Sequence, residues 1–494
     1  MLSNRMAQGL LFAFLLAAVA LAQPGEAEAY NWRTATVDAG GGASFASVVV
    51  DTAGNVMISY ESPQANDSLK FAICDRSASA NGNCDQTADW RTVTVDSSLG
   101  WQGSQASMAV DGNGDPMISY WLVFWDGIQY HRDFKFAICD RSASTHGNCD
   151  QTADWRTAVI EEVGFEGWRT SIQVDGAGDP LISYSAEDPQ EPKFAICDRS
   201  ASTHGNCDQT GDWRTVTVEG GVDVGGTSLR LGDGDPMMSY GDSAGLRFTT
   251  CDRTGSTHGN CDQPGDWRGV TVDAAGGYEP SLAVDNNGDP MIVHYDWASS
   301  KKRFAICDRS ASANGNCDQA GDWRVTAVDQ SGNQGYQTSI AVQPDGDPIF
   351  AFNDLVDMNT DHYDLKLATC ERSASTNGNC DQTGDWSTET VDAGDSLGPS
   401  LALDVDGYPI IAYQWSKDPS WETVDLKLAI GSPLAVGGIA ELPDIARTSR
   451  WEAGAPTERS GWSAANFAAL AGGVAAVVVA IGGGAWYAKR RWLR

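Results

Sequence analysis

Six times the chain writes a cysteine, nine residues and a second cysteine, followed at once by an aspartate and five residues later by a tryptophan; the copy at 139 to 156 reads CDRSASTHGNCDQTADWR. The pairs are Cys74/Cys84, Cys139/Cys149, Cys197/Cys207, Cys251/Cys261, Cys307/Cys317 and Cys370/Cys380. A catalytic motif is needed once, so repetition at a near-constant period is architectural. Tryptophan sets the register: Trp32, Trp90, Trp155, Trp213, Trp267, Trp323 and Trp386 open segments such as WRTVTVD at intervals of 54 to 65 residues.

Between successive tryptophans lie three more short runs rich in Val, Ile, Phe and Tyr, such as SMAVD (107–111), PMISY (116–120) and KFAIC (135–139), separated by Gly, Asp, Asn and Pro. Such runs read as strands and such separators as turns. Four short strands per unit, seven times over, predict an all-β, seven-bladed β-propeller across residues 30 to 431. The ends agree. The chain opens on a lone tryptophan strand, WRTATVD, and its last unit stops without one, so residues 32 to 38 are expected to complete the seventh blade and close the ring. Closure removes the long unpaired edge that an open array would expose.

The stretch between each third and fourth strand resembles the Asp-box (BNR repeat) of the sialidase-like β-propeller superfamily, S-x-D-x-G-x-T-W. Asp85 and Trp90 match its Asp and Trp, as do Asp150/Trp155, Asp208/Trp213, Asp262/Trp267, Asp318/Trp323 and Asp381/Trp386. Asn83, Thr87 and Asp89 depart from its Ser, Gly and Thr. The resemblance implies the fold rather than the activity. Enzymes of that family clamp a substrate carboxylate with three arginines, the first announced by a Phe-Arg-Ile-Pro motif that is absent here. Most arginines are repeat positions expected to pair with neighbouring aspartates; Arg132, Arg169 and Arg230 are singular. They fall in blades two, three and four, on one side of the ring, and are not expected to converge as a clamp.

The ends predict a surface protein. Residues 1 to 22, with Arg5, an apolar run and Ala20-Leu21-Ala22, fit a signal peptide, with cleavage possible as late as 29. Residues 432 to 463 read as a polar stalk, 464 to 488 as one C-terminal transmembrane helix, and 489 to 494, AKRRWLR in context, as a cytoplasmic tail. The expected location is therefore the plasma membrane, single-pass, with the propeller outside. Twelve cysteines in an exported chain read as six hairpin disulfides; zinc is the competing reading, and the histidine within these loops, His146, His204 and His258, is missing from the other three copies. A formal charge of −33 excludes nucleic acid as a partner.

Function must lie in what does not repeat. One face gathers the near-identical turns and stapled hairpins; the other gathers the divergent loops after the second and fourth strands, where binding usually sits. Those loops hold aromatics outside the repeat, of which Trp101, Trp125, Tyr130, Trp168, Tyr278, Tyr336 and Tyr363 are the expected ligand-binding residues. Trp121, Trp297, Trp415 and Trp421 lie in the same loops. The turn DGNGDP offers Asp111, Asn113 and Asp115 at calcium-like spacing, with a plain tight turn as the alternative. No other cofactor is expected. The overall expectation is a membrane-anchored module binding extracellular carbohydrate or protein without catalysis. The alternatives are a divergent sialidase-like glycoside hydrolase and a structural envelope protein.

Overall fold

A computed structural model describes residues 30–40, 42–62, 68–97, 101–125, 127–128, 130–163, 168–186, 191–328, 333–357, 362–416 and 424–433. The chain divides into two compact units, Met1–Leu434 and Ala435–Arg494, and the described residues belong to the first. The segments read as signal peptide, membrane span and cytoplasmic tail, and the stalk beyond 433, lie outside the described residues. Among the described residues no helix is long and apolar enough to cross a membrane.

Seven four-stranded antiparallel sheets form the blades of a propeller. Blade one runs Ser44–Val50, Val56–Ser62, Ser68–Cys74 and Trp90–Asp96 from axis to rim, and blades two to six repeat that order. The seventh takes its three inner strands from Ser396–Leu403, Pro409–Ser416 and Val424–Pro433, and its outermost from Tyr30–Asp38. Closure by the N-terminal strand is thus as expected, and the final strand runs two residues past the expected boundary at 431. Thr34 lies opposite Ala429 and Tyr30 opposite Pro433.

The repeated residues explain the joints between blades. On each inner strand a serine accepts a hydrogen bond from a backbone N–H of the following blade. Met108 donates to Ser47 at 3.0 Å, Ile172 to Ser107 at 3.3 Å, Leu229 to Ser171 at 3.0 Å and Leu282 to Ser228 at 3.0 Å. Ile340 donates to Ser281 at 3.1 Å, Leu401 to Ser339 at 2.9 Å and Val48 to Ser400 at 3.0 Å, which returns the cycle to its start. Further out, the tyrosine of PMISY and the cation of KFAIC clasp a carboxylate from the preceding blade's outer strand. Tyr120 and Lys135 meet Asp96 at 2.6 and 2.5 Å, and Tyr60 and Lys70 meet Asp38 at 2.7 and 3.0 Å.

At the rim five of the repeat tryptophans pack edge-on against the phenylalanine of the blade before: Trp155 on Phe71, Trp213 on Phe136, Trp267 on Phe194, Trp323 on Phe248 and Trp386 on Phe304, with centroids 4.9 to 5.0 Å apart. All six cysteine pairs are disulfides within their own hairpins: Cys74–Cys84, Cys139–Cys149, Cys197–Cys207, Cys251–Cys261, Cys307–Cys317 and Cys370–Cys380. The pairing is as expected, but the structure departs from the plain cross-link that the spacing predicts. Cys84, Cys149, Cys207, Cys261, Cys317 and Cys380 are fully buried, so they are structural rather than ligand-facing residues. Each has φ between 55 and 58°, a left-handed conformation that the hairpin reversal imposes and that cysteine rarely adopts. Their carbonyls also accept the indole N–H of the repeat tryptophan: Cys84 from Trp90, Cys149 from Trp155, Cys207 from Trp213, Cys261 from Trp267, Cys317 from Trp323 and Cys380 from Trp386, at 2.9 to 3.2 Å. The disulfide and the indole together hold a turn that the backbone alone would not choose. The two positions shared with the Asp-box are therefore structural here: Trp90 caps the Cys84 carbonyl, and Asp85 pairs with Arg33 from the preceding blade at 3.4 Å.

Replacing Ser228 by alanine leaves the buried Leu282 N–H without its acceptor and is expected to cost about 1 to 3 kcal/mol, read by denaturant unfolding. A loss as small as that of an exposed serine would break the argument for the ring. Deleting residues 30 to 38 is expected to abolish cooperative unfolding and give a self-associating product, because blade seven loses its outer strand and the loss of Asp38 leaves Tyr60 and Lys70 unclasped. A monomer with an unchanged Tm would contradict closure.

Candidate functional site

The variable face is built from strand ends more than from loops. Blade two extends Pro116–Trp125 and Tyr130–Cys139 into a hairpin in which Trp125 lies opposite Tyr130. Blade six extends Pro348–Asp357 and His362–Cys370, with Leu355 opposite Tyr363. Segments expected to be loops, 121 to 133 and 353 to 364, are thus largely strand, because their apolar and aromatic residues continue the pairing.

Six blades carry a register irregularity just before the ring serine, for example between Trp168 and Ser171 and between Tyr278 and Ser281. The residues there have positive φ: Phe45 at 51°, Gln105 at 58°, Arg169 at 24°, Glu279 at 47° and Gly398 at 62°. Bulges at a barrel or propeller rim re-aim side chains, and non-glycine residues with positive φ concentrate at functional positions. Here they surround the mouth of the axis.

That mouth is a cavity of about 160 Å³ lined by the serine ring, Thr170, Thr227 and Thr338, Gln105 and Gln337, and two cations, Arg169 and Arg230. Two further cavities of about 320 and 360 Å³ share Arg230. Among the described residues no aspartate or glutamate lines any of the three, although acids outnumber bases 66 to 33 in the chain. Arg230 occupies an inner-strand position that holds Val49, Ala109, Gln173, Ala283, Ala341 and Ala402 in the other blades. Its Nη1 donates to the Leu229 carbonyl at 2.8 Å, and among the described residues it has no ion pair. Burial pushes its guanidinium down to about 10, so it stays charged at neutral pH. The Arg169 backbone N–H donates to the Gln105 side-chain oxygen, and its Nη2 pairs with Glu279 at 2.6 Å.

This corrects the expectation for the three singular arginines. Two of them do converge on the axis, because inner strands of neighbouring blades bring their side chains together whatever the order of blades. Arg132 stays on the third strand of blade two.

Within electrostatic reach of the Arg169–Glu279 pair lies Lys302, fully buried. Its equivalents in the other blades are Leu69, Phe134, Pro192, Leu246, Leu365 and Leu426, all buried and none ionisable. Its Nζ donates to the Gln337 carbonyl at 3.3 Å and lies 5.3 Å from the Tyr295 ring centroid. Burial pushes the ammonium down to about 7, with Arg169 adding to the fall and Glu279 opposing it. An ionisable group in an apolar column beside a cleft marks a functional position.

On the same face, between blades four and five, a groove of about 420 Å³ is walled by Tyr278 and Trp297 and edged by Asp223, Asp242 and Glu279. Tyr278 and Tyr295 stand 5.2 and 5.3 Å from Trp297, which is 53% exposed. Of the expected ligand aromatics, Tyr278 is therefore at a cleft. Tyr363 lies half-buried on blade six beside Gly335. Trp101, Trp168 and Tyr336 share with Tyr278 a place at the mouth end of an inner strand. The side chains of Trp101, Trp125, Tyr130, Trp168 and Tyr336 lie outside what is described, as does Trp421. Trp121 is core, packed on Phe134 and Tyr184, and Trp415 lies under Lys427.

The turn with calcium-like spacing is on the opposite face. Asp111 Oδ1 accepts the backbone N–H groups of Asn113 and Asp115 at 2.8 and 2.9 Å, and its Oδ2 pairs with Arg199 of the next blade at 2.8 Å. The carboxylate serves as a turn-former and as a joint between hairpins. Among the described residues no cluster of three metal-ligating side chains occurs.

Lys302 yields a signed expectation for pH. Its folded value near 7 lies below the ordinary 10.5, so the unfolded chain holds the proton that the folded chain gives up between those values. The destabilisation is full below about pH 7 and fades toward about pH 10.5. Lys302→Leu should therefore gain Tm relative to the parent most at about pH 6 to 7, with the difference shrinking toward about pH 10. A difference that is flat across that range would mean that Lys302 carries no strained charge.

No protein-family model matches the chain, and no curated protein does. Solved structures that align with it are distant. They include an α-L-arabinofuranosidase from Fusarium graminearum at 9% identity and TM-score 0.45, over 84% of this chain and 99% of that one. A fungal alcohol oxidase in complex with copper aligns at 10% identity and TM-score 0.49, over 83% and 77%. The NanB sialidase of Streptococcus pneumoniae aligns at 10% identity and TM-score 0.43, over 83% and 71%. What these proteins act on is theirs. By fold, the chain is a seven-bladed β-propeller with sialidase and arabinan-degrading propellers among its structural neighbours.

Proposed function

We propose that this is a cell-surface propeller, carried on a C-terminal membrane anchor, that binds carboxylate-bearing carbohydrate at the mouth of its axis. One observation carries the reading: the axial cavities are lined by two arginines, of which Arg230 has no ion pair among the described residues, and by no described carboxylate, in a chain of net charge −33. Random placement of charge in so acidic a chain would not clear the axis of acids. Arg230 lies inside it with four of its five N–H donors uncommitted among the described residues, and a planar guanidinium fits a carboxylate in bidentate fashion. Around it the serine and threonine hydroxyls and the amides of Gln105 and Gln337 are both donors and acceptors, as a sugar's hydroxyls require. The cavity is concave and small, which favours a sugar residue over a protein surface. The extracellular placement rests on the apolar termini and on the six hairpin disulfides.

Hydrolysis is the second reading, and one observation favours it: Asp223, Asp242 and Glu279 edge the groove beside the axis. Glycosidases work with a pair of such groups. Binding is preferred because the Glu279 carboxylate is already committed to Arg169, at 2.6 Å.

The test compares carboxylate-terminated glycans with their neutral carboxamide analogues on the purified full chain. The acids should bind more tightly, and Arg230→Gln, the residue type found at 173, should weaken them by about 10- to 100-fold while leaving the neutral forms unchanged. Equal affinity for acid and amide would sink the reading; turnover abolished by Glu279→Gln would replace it with the hydrolase.

A further inference from the structure

We propose that the groove between blades four and five is a second sugar subsite, which stacks one neutral residue of an oligosaccharide on Trp297 when the acidic terminal residue occupies the axial mouth; this rests on the axial reading above. Contiguity, floor shape and charge each support it.

The Arg169–Glu279 pair is a shared wall, since Arg169 lines the axial cavity and Glu279 the groove. Gly225 and Gly226 lie between them, and a Cβ on Gly226 would sit 3.1 Å from the Arg169 side chain, while one on Gly225 would sit 3.5 Å from the Tyr278 ring. The axial cavity and the groove therefore adjoin across this wall, and a ligand longer than one residue would cross it.

The loops that form the floor meet backbone to backbone: a Cβ on Gly241 would fall 1.9 Å from the Gly277 carbonyl oxygen. Only glycine permits that approach, which brings the two loops together beneath the tyrosine and tryptophan that wall the groove.

A large indole exposed to solvent among carboxylates is placed to meet the apolar face of a sugar ring while the acids accept its hydroxyls. Those acids would repel a charged residue. The combination of a cationic axis and an acidic groove selects a glycan with one terminal acid followed by neutral sugar, and rejects a uniformly acidic polymer.

The experiment uses the full chain and three probes: D-glucuronic acid, a trisaccharide of glucuronate joined to two neutral hexoses, and a trisaccharide of galacturonate with a charge on every residue. The neutral-tailed trisaccharide should bind about 3- to 10-fold more tightly than glucuronic acid, and the fully charged one no more tightly. Trp297→Ala should erase that gain and leave glucuronic acid unaffected; Trp297→Phe should restore part of it. Ile128→Ser, at the tip of the blade-two hairpin, should change neither. If Arg230→Gln weakens all three probes and Trp297→Ala none, the groove proposal falls and the axial reading stands. If Trp297→Ala weakens the trisaccharide and Arg230→Gln has no effect, the axial reading falls and the groove remains a sugar site in its own right. A fully charged trisaccharide that binds as well as the neutral-tailed one overturns the charge argument and with it the subsite.

Discussion

Everything in this propeller hangs on how its innermost strands are held. Each is an edge strand, with N–H and C=O groups that no fifth strand pairs. A serine hydroxyl from the preceding blade takes one N–H from each, at 2.9 to 3.3 Å, seven times around the axis. The side chain is short and its hydroxyl is both donor and acceptor, so it fills the gap between blades without spreading them. Tyrosine–carboxylate–lysine clasps at mid-radius and tryptophan–phenylalanine contacts at the rim repeat the joint at larger distances from the axis. The serine joint recurs at all seven boundaries, and the outer contacts reinforce the same angle in the blades that carry them.

The joints also explain what could be read from the residues alone. Strand count, blade order, hairpin disulfides and the swapped N-terminal strand were legible because each joint needs the same residue at the same place, which imprints a period. The left-handed backbone at Cys84 and its five counterparts was not, since spacing reports which cysteines can meet and says nothing of the conformation in which they do. The site was less legible still. Arg230 and Lys302 do not announce themselves by motif, yet each breaks a column: one stands among Val, Ala and Gln, the other among Leu, Phe and Pro. Aligning the seven blades against one another exposes both. Blade order alone suggests that Arg169 and Arg230 stand apart, whereas inner strands crowd together at the axis. The bulges that turn Gln105, Arg169 and Glu279 toward the mouth leave no trace in composition at all.

The same regularity limits where function can arise. Residues on the hairpin face are committed: Asp111 shapes its own turn and ties down Arg199, and its counterpart Asp285 does the same for Arg372 at 2.7 Å. A substitution there disturbs two blades at once. The opposite face is under no such constraint, since in blade four only Ser243 and Ala244 join the second and third strands where blade two has a long hairpin. Blade five departs from the repeat, with His294 in place of the clasping tyrosine and Lys302 in an apolar column.

Closure by the first strand has a consequence for the order of assembly. Tyr30–Asp38 is made first and pairs with Val424–Pro433, made last; the hydrogen bond from Ser432 to the Asn31 carbonyl spans 401 positions. Each disulfide, by contrast, joins cysteines 10 apart. A hairpin can therefore oxidise as soon as its own blade emerges, long before the ring exists, while the opening strand waits, unpaired, for the whole circle to be synthesised. Local staples with a distant latch make blade formation incremental and leave cooperativity to a single late event, so the slow, length-dependent step of folding is the meeting of the two ends.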